Sequence, residues 1–151
     1  MKNHLFSQTS LGLNIVAIGG GNGLSTLLSG LKEYVGDQDH PTWIKNLSAI
    51  VAVSDDGGSS GRLRDELNML PPGDIRNCMV ALSEDSHLLS KIFQHRFEGE
   101  GELAGHSFGN LFLAALSEIT GDFAEAVKLS SEILASKGHI YPATTEDVRL
   151  I

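Results

Sequence analysis

The sequence predicts a doubly wound α/β domain built around a mainly parallel sheet. A short apolar run at residues 13–18 stops at the glycine-rich segment 19–23, the pattern of a buried strand that enters a tight turn. Helical spacing follows, and a second apolar run lies at residues 47–53. Together these form a βαβ unit, whose crossover is right-handed and whose strands are parallel. The helix is expected to turn four leucines toward the sheet: Leu24, Leu27, Leu28 and Leu31.

Further helices and one more strand are predicted downstream. Asp74 and Ser86 are placed as N-caps, and Asp122 with Glu125 forms the pattern of a capping box. The other predicted elements are helices over residues 62–70 and 110–119 and a strand over residues 139–143. Helices between strands continue the α/β pattern to the end of the sequence.

Composition excludes several classes of protein. The 151 residues suffice for one compact domain, and 41% hydrophobic with 20% charged residues is typical of a globular protein. The net charge of −8 argues against broad electrostatic binding to nucleic acid or to an anionic membrane, since both need an excess of Lys and Arg. Any phosphate must therefore be held by a local site.

Cysteine use and hydropathy favour the cytoplasm. The single cysteine, Cys78, cannot form an internal disulfide and has no CxxC partner, so a small buried thiol is the favoured interpretation. The apolar runs are far shorter than the ~18 residues of a spanning helix, and the N-terminus lacks a signal-peptide core. We therefore expect a cytoplasmic protein without membrane insertion.

The glycine-rich segment 19–23 is the first candidate ligand loop. Because a strand hands over to a helix there, its backbone N–H groups and the helix N-terminus favour an anion such as phosphate. It matches neither the dinucleotide fingerprint nor the P-loop. Glycines that serve close packing alone are the competing interpretation. The candidate ligand-binding residues are Gly20, Gly21, Asn22 and Gly23.

The second candidate loop directly follows the second strand. Ser59 and Ser60 add hydroxyl donors, and the planar guanidinium of Arg62 is suited to a bidentate grip on an anion. The carboxyl ends of parallel strands share one edge, so both loops should border one crevice. Beside phosphate, Asp55 and Asp56 need a Mg²⁺ ion or a hydroxyl donor between them and the ligand. Asp55 is thus the candidate metal ligand, with a turn cap as its alternative role.

Two more segments add candidate ligand-binding groups. A proline-rich segment contributes Asp74 and places Arg76 one turn inside a helix, as a phosphate clamp or as an exposed cation. His106 and Asn110 precede the most apolar helix and are candidates for the same cleft, with a structural role for the histidine and an N-cap role for the asparagine as alternatives. The sequence shows no Ser-His-Asp order and no His-Glu metal pair, so a hydrolase or zinc enzyme has little support.

Five motifs in order resemble those of the YvcK-type gluconeogenesis factor family, which is related to 2-phospho-L-lactate transferase. They are GGGNG at 19–23, VSDDGGSSGRLR at 53–64, PPGDIRN at 71–77, HSFGN at 106–110 and GHIYPATTEDV at 138–148. Proteins of that family are longer than this chain. The resemblance implies that residues 13–151 are the N-terminal part of a single Rossmann-like nucleotide-sugar-binding domain, preceded by a flexible N-terminus over residues 1–12.

The resemblance also implies a function. It points to a cytoplasmic factor that binds a nucleotide sugar such as UDP-N-acetylglucosamine and is required for cell shape and peptidoglycan metabolism during gluconeogenic growth. In the related transferase, aspartates after the second strand help to hold metal and phosphate, and Asp55 and Asp56 match that position. PPGDIRN stands where the transferase has an aspartate-rich segment, which disfavours phospholactate transfer.

The leading hypothesis is binding without turnover. A UDP-sugar, or another phosphorylated small molecule, would place its diphosphate on residues 20–23. Asp55 and Asp56 would meet ribose or sugar hydroxyls, and Arg62 or Arg76 would neutralise charge. No catalytic residue is assigned, and a homo-oligomer is left open.

The second hypothesis is a Mg²⁺-dependent phosphotransferase of the 2-phospho-L-lactate transferase type. Asp55 and Asp74 would position the metal, and Arg76 would stabilise the transferring group. Metal-dependent turnover distinguishes it from the first hypothesis.

Overall fold

A computed structural model describes residues 11–84 and 87–149. Within these ranges the chain forms three β-strands, six α-helices and a short 3₁₀ helix, Lys32–Tyr34, that extends the first α-helix. The strands are β1 (Leu13–Gly19), β2 (Ile44–Val51) and β3 (His139–Pro142). The α-helices are α1 (Gly21–Leu31), α2 (Gly58–Leu67), α3 (Gly73–Leu82), α4 (His87–Gln94), α5 (Phe108–Thr120) and α6 (Phe123–Ile133).

The three strands form one parallel sheet in the order β1–β2–β3. Ala17, Ala49 and Ile140 are register partners across the sheet, and all three are buried on the face that carries the helices. Strand β1, helix α1 and strand β2 form the expected βαβ unit. The predicted α/β class with a parallel sheet is confirmed.

The opposite face of the sheet is open in the part of the chain that the structure describes. Val16, Ile18 and Tyr141 alternate with the buried positions and are 59%, 74% and 52% exposed. Parallel sheets are normally covered on both faces, and a doubly wound sheet carries helices on each. The open apolar face therefore agrees with an N-terminal part of a larger domain.

The second strand differs from its prediction at both ends. The apolar run predicted residues 47–53, whereas β2 is Ile44–Val51. The strand begins with Ile44, Lys45 and Asn46, of which only Ile44 is buried. Two exposed polar residues in succession carry no apolar signal, so the strand start could not be found from hydropathy.

Helix α1 packs against α3 and β1 along a narrower stripe than predicted. Leu24 and Leu28 are buried, and Leu31 packs against the core from its edge. The prediction that Leu27 faces the sheet is wrong, because its side chain is 52% exposed. The apolar stripe therefore consists of the leucines at i, i+4 and i+7 and lacks the one at i+3.

The helix predicted over residues 62–70 is wrong at both ends. Helix α2 begins at Gly58, so the SSG tripeptide lies inside its first turns and not in a loop. Asp55 Oδ1 accepts the N–H of Gly57, the N-cap, at 2.9 Å and so shapes the chain before the helix. At the other end Asn68 adopts a left-handed conformation, with φ of 49°, which stops the helix.

Two predicted N-caps are wrong. Helix α3 has Pro72 as its N-cap, so Asp74 lies inside the first turn with its carboxylate free for another partner. Helix α5 is capped by Ser107, whose Oγ accepts the N–H of Asn110 at 3.2 Å. Asn110 therefore lies one turn inside α5.

Other local predictions are confirmed. Half of the predicted capping box forms: Asp122 caps α6 by accepting the N–H of Glu125 at 3.0 Å, whereas the N–H of Asp122 donates to Oγ1 of Thr120. Cys78 is a free, buried thiol whose pKa burial raises to about 12. Ser86 and residues 1–10 of the predicted flexible N-terminus lie outside the described residues. Among the described helices, none combines the length and the hydropathy that crossing a bilayer requires.

Candidate functional site

The carboxyl ends of β1 and β2 place two candidate loops side by side. Gly19 and Val51 are register partners, and the N–H of Ala52 donates to the carbonyl of Gly19 at 2.7 Å. A Cβ on Gly20 would lie only 3.1 Å from the Cβ of Ala52. The segment after each strand therefore starts at the same edge of the sheet, as parallel strands dictate.

Asp74 occupies the start of α1. A Cβ on Gly20 would lie 2.9 Å from Oδ2 of Asp74, and a Cβ on Gly21 would lie 4.0 Å from its Oδ1. Burial raises the pKa of Asp74 above its usual value, the Gly21 hydrogen bond opposes this, and the charge of Asp55 adds to it. The glycines here serve the close approach of a carboxylate from α3.

Asp55 lies beside Asp74 at this end of the site. Its Oδ1 accepts a hydrogen bond from the N–H of Gly57. Its Oδ2 would lie 3.3 Å from a Cβ on Gly73, at the start of α3. We call this pair, Asp55 and Asp74, the acidic end. Two carboxylates fit Mg²⁺, which keeps several waters and takes further oxygens from phosphate. Among the described residues, no three His, Cys, Asp or Glu side chains are grouped to hold a metal.

Asp56 is engaged elsewhere. Its Oδ1 accepts a hydrogen bond of 2.6 Å from Nη1 of Arg64, a side chain that is almost fully buried. The same guanidinium donates to Asp147 and, at 2.6 Å, to the carbonyl of Val148. The expectation that Asp56 meets ligand hydroxyls is untested, and its carboxylate serves this ion pair in the structure.

Ser59, His106 and Asn110 form a buried polar network. Nδ2 of Asn110 donates to Oγ of Ser59 at 3.1 Å, and Oγ lies 2.9 Å from Nδ1 of His106. A hydroxyl that accepts from the amide is free to donate to Nδ1, which suits a neutral imidazole. Burial lowers the pKa of His106 and the charge of Arg62 lowers it further, which agrees with a neutral imidazole. The network fastens α2 to the HSFGN segment.

Ser60 packs against the start of α3. Its Oγ fills the space that a Cβ on Gly73 would need, so only glycine fits there. Like Ser59, it is buried in the first turn of α2. Both serines therefore hold helices together, and neither hydroxyl is presented to solvent.

Arg62, Arg76 and Arg96 form what we call the basic end. Nη2 of Arg62 donates to the carbonyl of Ala104 at 2.6 Å, and Nη1 of Arg96 donates to the adjacent carbonyl of Gly105. The charge of Arg96, after burial, lowers the pKa of Arg76, so these guanidiniums repel each other. Within the described ranges none of the three makes an ion pair.

Arg76 is buried and is thus not the exposed cation that the sequence allowed. It is 8% exposed, and Nη2 donates to Oδ1 of Asn77 at 2.7 Å. A Cβ on Gly109 would lie 2.8 Å from its Cδ, so the arginine stem runs along α5. Its Nε is buried without a hydrogen-bond partner in the described structure.

Arg96 is the site residue that sequence reasoning missed. Residues 95–97 pair antiparallel with residues 105–108, with Arg96 opposite Ser107. This pairing brings the arginine to the HSFGN segment. Neither the spacing nor the neighbours of Arg96 in the sequence carry a signal for it, because the pairing joins Arg96 to Ser107, eleven residues away, through an irregular loop.

The glycine segment contributes less side-chain chemistry. Asn22 and Gly23 are exposed at the start of α1, and a Cβ on Gly23 would meet nothing within 4 Å. A cavity of about 680 Å³ lies elsewhere, between α6 and β3. None of the acidic-end or basic-end residues lines it. We therefore place the candidate site at the loop cluster, on its chemistry.

Replacing Asp74 with asparagine should raise stability at neutral pH. An acid with a raised folded-state pKa contributes stability that is complete below its ordinary value of 3.8 and is lost as the pH rises through the folded-state value. Asparagine is neutral, so it removes the cost of a buried negative charge at this position. Urea unfolding between about pH 4 and pH 7 should show a higher midpoint for Asp74→Asn at pH 7 and a flatter pH dependence.

The exposed Asp39→Asn controls for the loss of one negative charge. It should leave the pH dependence of the wild type in place. An Asp74→Asn protein less stable than the wild type at pH 7 would contradict the assigned environment of this carboxylate.

Comparison with known proteins adds a family. The model of the family described as 2-phospho-L-lactate transferase CofD matches residues 15–151. A putative gluconeogenesis factor of Nostoc sp. is 58% identical over 139 residues, which are 92% of this chain and 28% of that protein. The gluconeogenesis factor of Bacillus subtilis is 51% identical over 136 residues, which are 90% of this chain and 40% of that protein.

A crystal structure of a Bacillus halodurans protein has the same fold. It aligns with a TM-score of 0.78 at 50% sequence identity, over 89% of this chain and 40% of that one. The chain thus spans well under half the length of the relatives that it matches.

Proposed function

This chain belongs to the 2-phospho-L-lactate transferase CofD family, in its gluconeogenesis-factor branch, and we propose that it binds a nucleotide sugar in gluconeogenic growth. The ligand we propose is a UDP-sugar such as UDP-N-acetylglucosamine, bound without turnover in the cytoplasm. The downstream role is in cell shape and peptidoglycan metabolism. The names of the relatives support the growth condition, and the ligand is argued from the site.

One observation carries the ligand class: carboxylates and unpaired guanidiniums lie next to each other at the carboxyl edge of the sheet. A nucleotide sugar offers hydroxyls on its ribose and on its sugar, with a diphosphate between them. Asp55 and Asp74 are suited to accept from hydroxyls, and Arg62 and Arg76 to bind phosphate oxygens. A ligand with hydroxyls alone or phosphate alone would leave one end of the site without a partner.

Calorimetric titration with UDP-N-acetylglucosamine tests this proposal, with UDP and N-acetylglucosamine as matched fragments. The intact nucleotide sugar should bind more tightly than either fragment. A ligand at 100 times its Kd raises the unfolding free energy by about 2.7 kcal/mol, so the melting temperature should rise with concentration. Asp55→Asn should weaken binding about tenfold, because a charged acceptor is lost. Absence of both heat and thermal shift would contradict the proposal.

A second candidate is phosphoryl transfer, which the family match and the paired carboxylates favour. Asp55 and Asp74 would hold Mg²⁺, which supplies Lewis-acid stabilisation of phosphoryl oxygens when bound. Arg76 would bind the phosphoryl group, while the protein orients the two reactants. Turnover of a phosphodonor panel that requires Mg²⁺ and is lost in Asp55→Asn and Asp74→Asn supports this candidate. Equal loss of donor with and without Mg²⁺ rejects it.

A further inference from the structure

The glycine segment is already occupied by a negative charge. A helix N-terminus attracts an anion because its first N–H groups lack partners and its dipole is positive there. At α1 the carboxylate of Asp74 lies against Gly20 and Gly21, where a Cβ would be 2.9 Å from its Oδ2 and 4.0 Å from its Oδ1, respectively. Asp55 adds a second carboxylate beside it. A phosphate placed on this segment would meet two like charges within a few ångströms, which costs free energy unless a cation intervenes.

The basic end carries positive charge that no carboxylate pairs with. Two of its guanidiniums, on Arg62 and Arg96, bind the neighbouring carbonyls of Ala104 and Gly105, so they converge on one turn of the chain. A Cβ on Gly105 would lie 3.5 Å from Nη2 of Arg62. The chain carries 19 acidic residues, yet within the described residues no carboxylate pairs with this group. The guanidiniums of the basic end are therefore available to an anion from outside the chain.

Arg76 points to a ligand independently. It is more than nine-tenths buried, and its Nε makes no hydrogen bond within the described structure. Burying a guanidinium that has an unused N–H and no ion pair is costly, and a bound anion offsets that cost. The nearby charge of Asp74 offsets part of it, but Asp74 forms no ion pair with Arg76. The stem of Arg76 is held against Gly109, which sets the head group at the basic end.

We propose that the phosphate groups of the ligand bind at the basic end, on Arg62, Arg76 and Arg96, and not on the glycine segment 20–23. The acidic end then takes hydroxyls or a divalent cation. This assignment deepens the proposed function, on which its choice of a nucleotide sugar rests. The ligand is then oriented opposite to the way that the glycine motif predicts, because the glycines make room for the carboxylate of Asp74.

Inorganic pyrophosphate without added Mg²⁺ is the probe, since it reports the phosphate site alone. Its binding is followed by ³¹P NMR at constant ionic strength for the 151-residue chain and three variants. Arg96→Gln removes one guanidinium from the basic end. Gly23→Ala places a methyl on the exposed start of α1, where the structure has open space. Lys91→Gln on α4 removes an exposed positive charge outside the cluster and controls for net charge.

Arg96→Gln should weaken pyrophosphate binding about tenfold or more, as expected for one charge-assisted contact, while Gly23→Ala and Lys91→Gln bind as the wild type does. The circular-dichroism melt of each variant checks that the fold is retained, and Arg62→Gln replaces Arg96→Gln if the latter unfolds. Wild-type affinity in both arginine variants, a greater loss in Gly23→Ala, or no binding to the wild type overturns the assignment. If the wild type binds pyrophosphate but does not bind UDP-N-acetylglucosamine, the proposed function is rejected and the assignment of the phosphate site stands.

Discussion

Replacing Gly61 with alanine is expected to lower the free energy of unfolding by about 3 kcal/mol, at the upper end of overpacking substitutions. A Cβ at this position would lie 2.9 Å from the carbonyl carbon of Asp56 and closer still to its oxygen. Both atoms are backbone, so no side-chain rotation relieves the overlap. Either the first turn of α2 or the segment 55–57 must move.

Gly23→Ala is the matched control for this substitution. Gly23 is also in the first turn of a helix, but a Cβ there meets nothing within 4 Å. Alanine restricts the unfolded chain more than glycine does, so this variant should gain about 0.5 kcal/mol. Urea unfolding of both variants measures the difference. Equal midpoints for Gly61→Ala and the wild type would contradict the close approach of α2 to Asp56.

The same substitution should disturb the site as well as the stability. The segment 55–57 carries Asp55, whose Oδ1 holds Gly57 at the start of α2. A shift of this segment moves Asp55 relative to Asp74 and weakens the acidic end. Pyrophosphate binding at the basic end should change less than UDP-sugar binding, because Arg76 lies on α3 and Arg96 in the segment after α4.

Local patterns were sufficient to predict the frame of the fold. The βαβ unit was predictable because a buried strand, a glycine turn and a helix lie in succession and need no distant partner. The N-cap role of Asp122, which accepts the N–H of Glu125, was predictable for the same reason. Both features depend on residues that are neighbours in the sequence.

The parts that the sequence did not predict depend on tertiary contacts. Helix α2 starts at Gly58 because Asp55 binds Gly57 and because Ser59 meets His106, a residue 47 positions away. Asp74 followed the pattern of an N-cap, yet its carboxylate reaches a different helix. Arg96 reaches the site only through a pairing across an irregular loop. In each case a residue with an ordinary local role takes a partner from a distant element.

The candidate site residues also differ in role: some are available to a ligand, and others hold distant elements together. The sequence predicts residues 55–62 (DDGGSSGR), in the second candidate loop, as ligand-binding, and the structure separates them by what they contact. Asp55 belongs to the acidic end and Arg62 to the basic end, whereas Ser59 and Ser60 are buried between helices. Asp56 joins the ion pair with Arg64. One motif therefore supplies candidate ligand groups and the contacts that position them.

Arg64→Leu is expected to lower the free energy of unfolding by about 2 kcal/mol. The guanidinium is nearly fully buried and donates to Asp56, Asp147 and the carbonyl of Val148. Removing a buried charge from its pair costs about 3–5 kcal/mol when the partner is left buried. Here the side chains of Asp56 and Asp147 are 45% and 59% exposed, so they regain water and the cost is smaller.

The loss should be concentrated in the segment that follows β3. Arg64 fastens residues 147 and 148 to α2, so in Arg64→Leu this segment should be cleaved faster by a protease than in the wild type, while the rest of the domain resists. Arg149→Gln is the control, because it removes an exposed ion pair with Asp65 and should leave the urea midpoint unchanged. Unchanged midpoint and unchanged cleavage in Arg64→Leu would show that this buried guanidinium does not hold the segment. Faster cleavage with loss of UDP-sugar binding would show that the Arg64 ion pair also positions Asp55 through its neighbour Asp56.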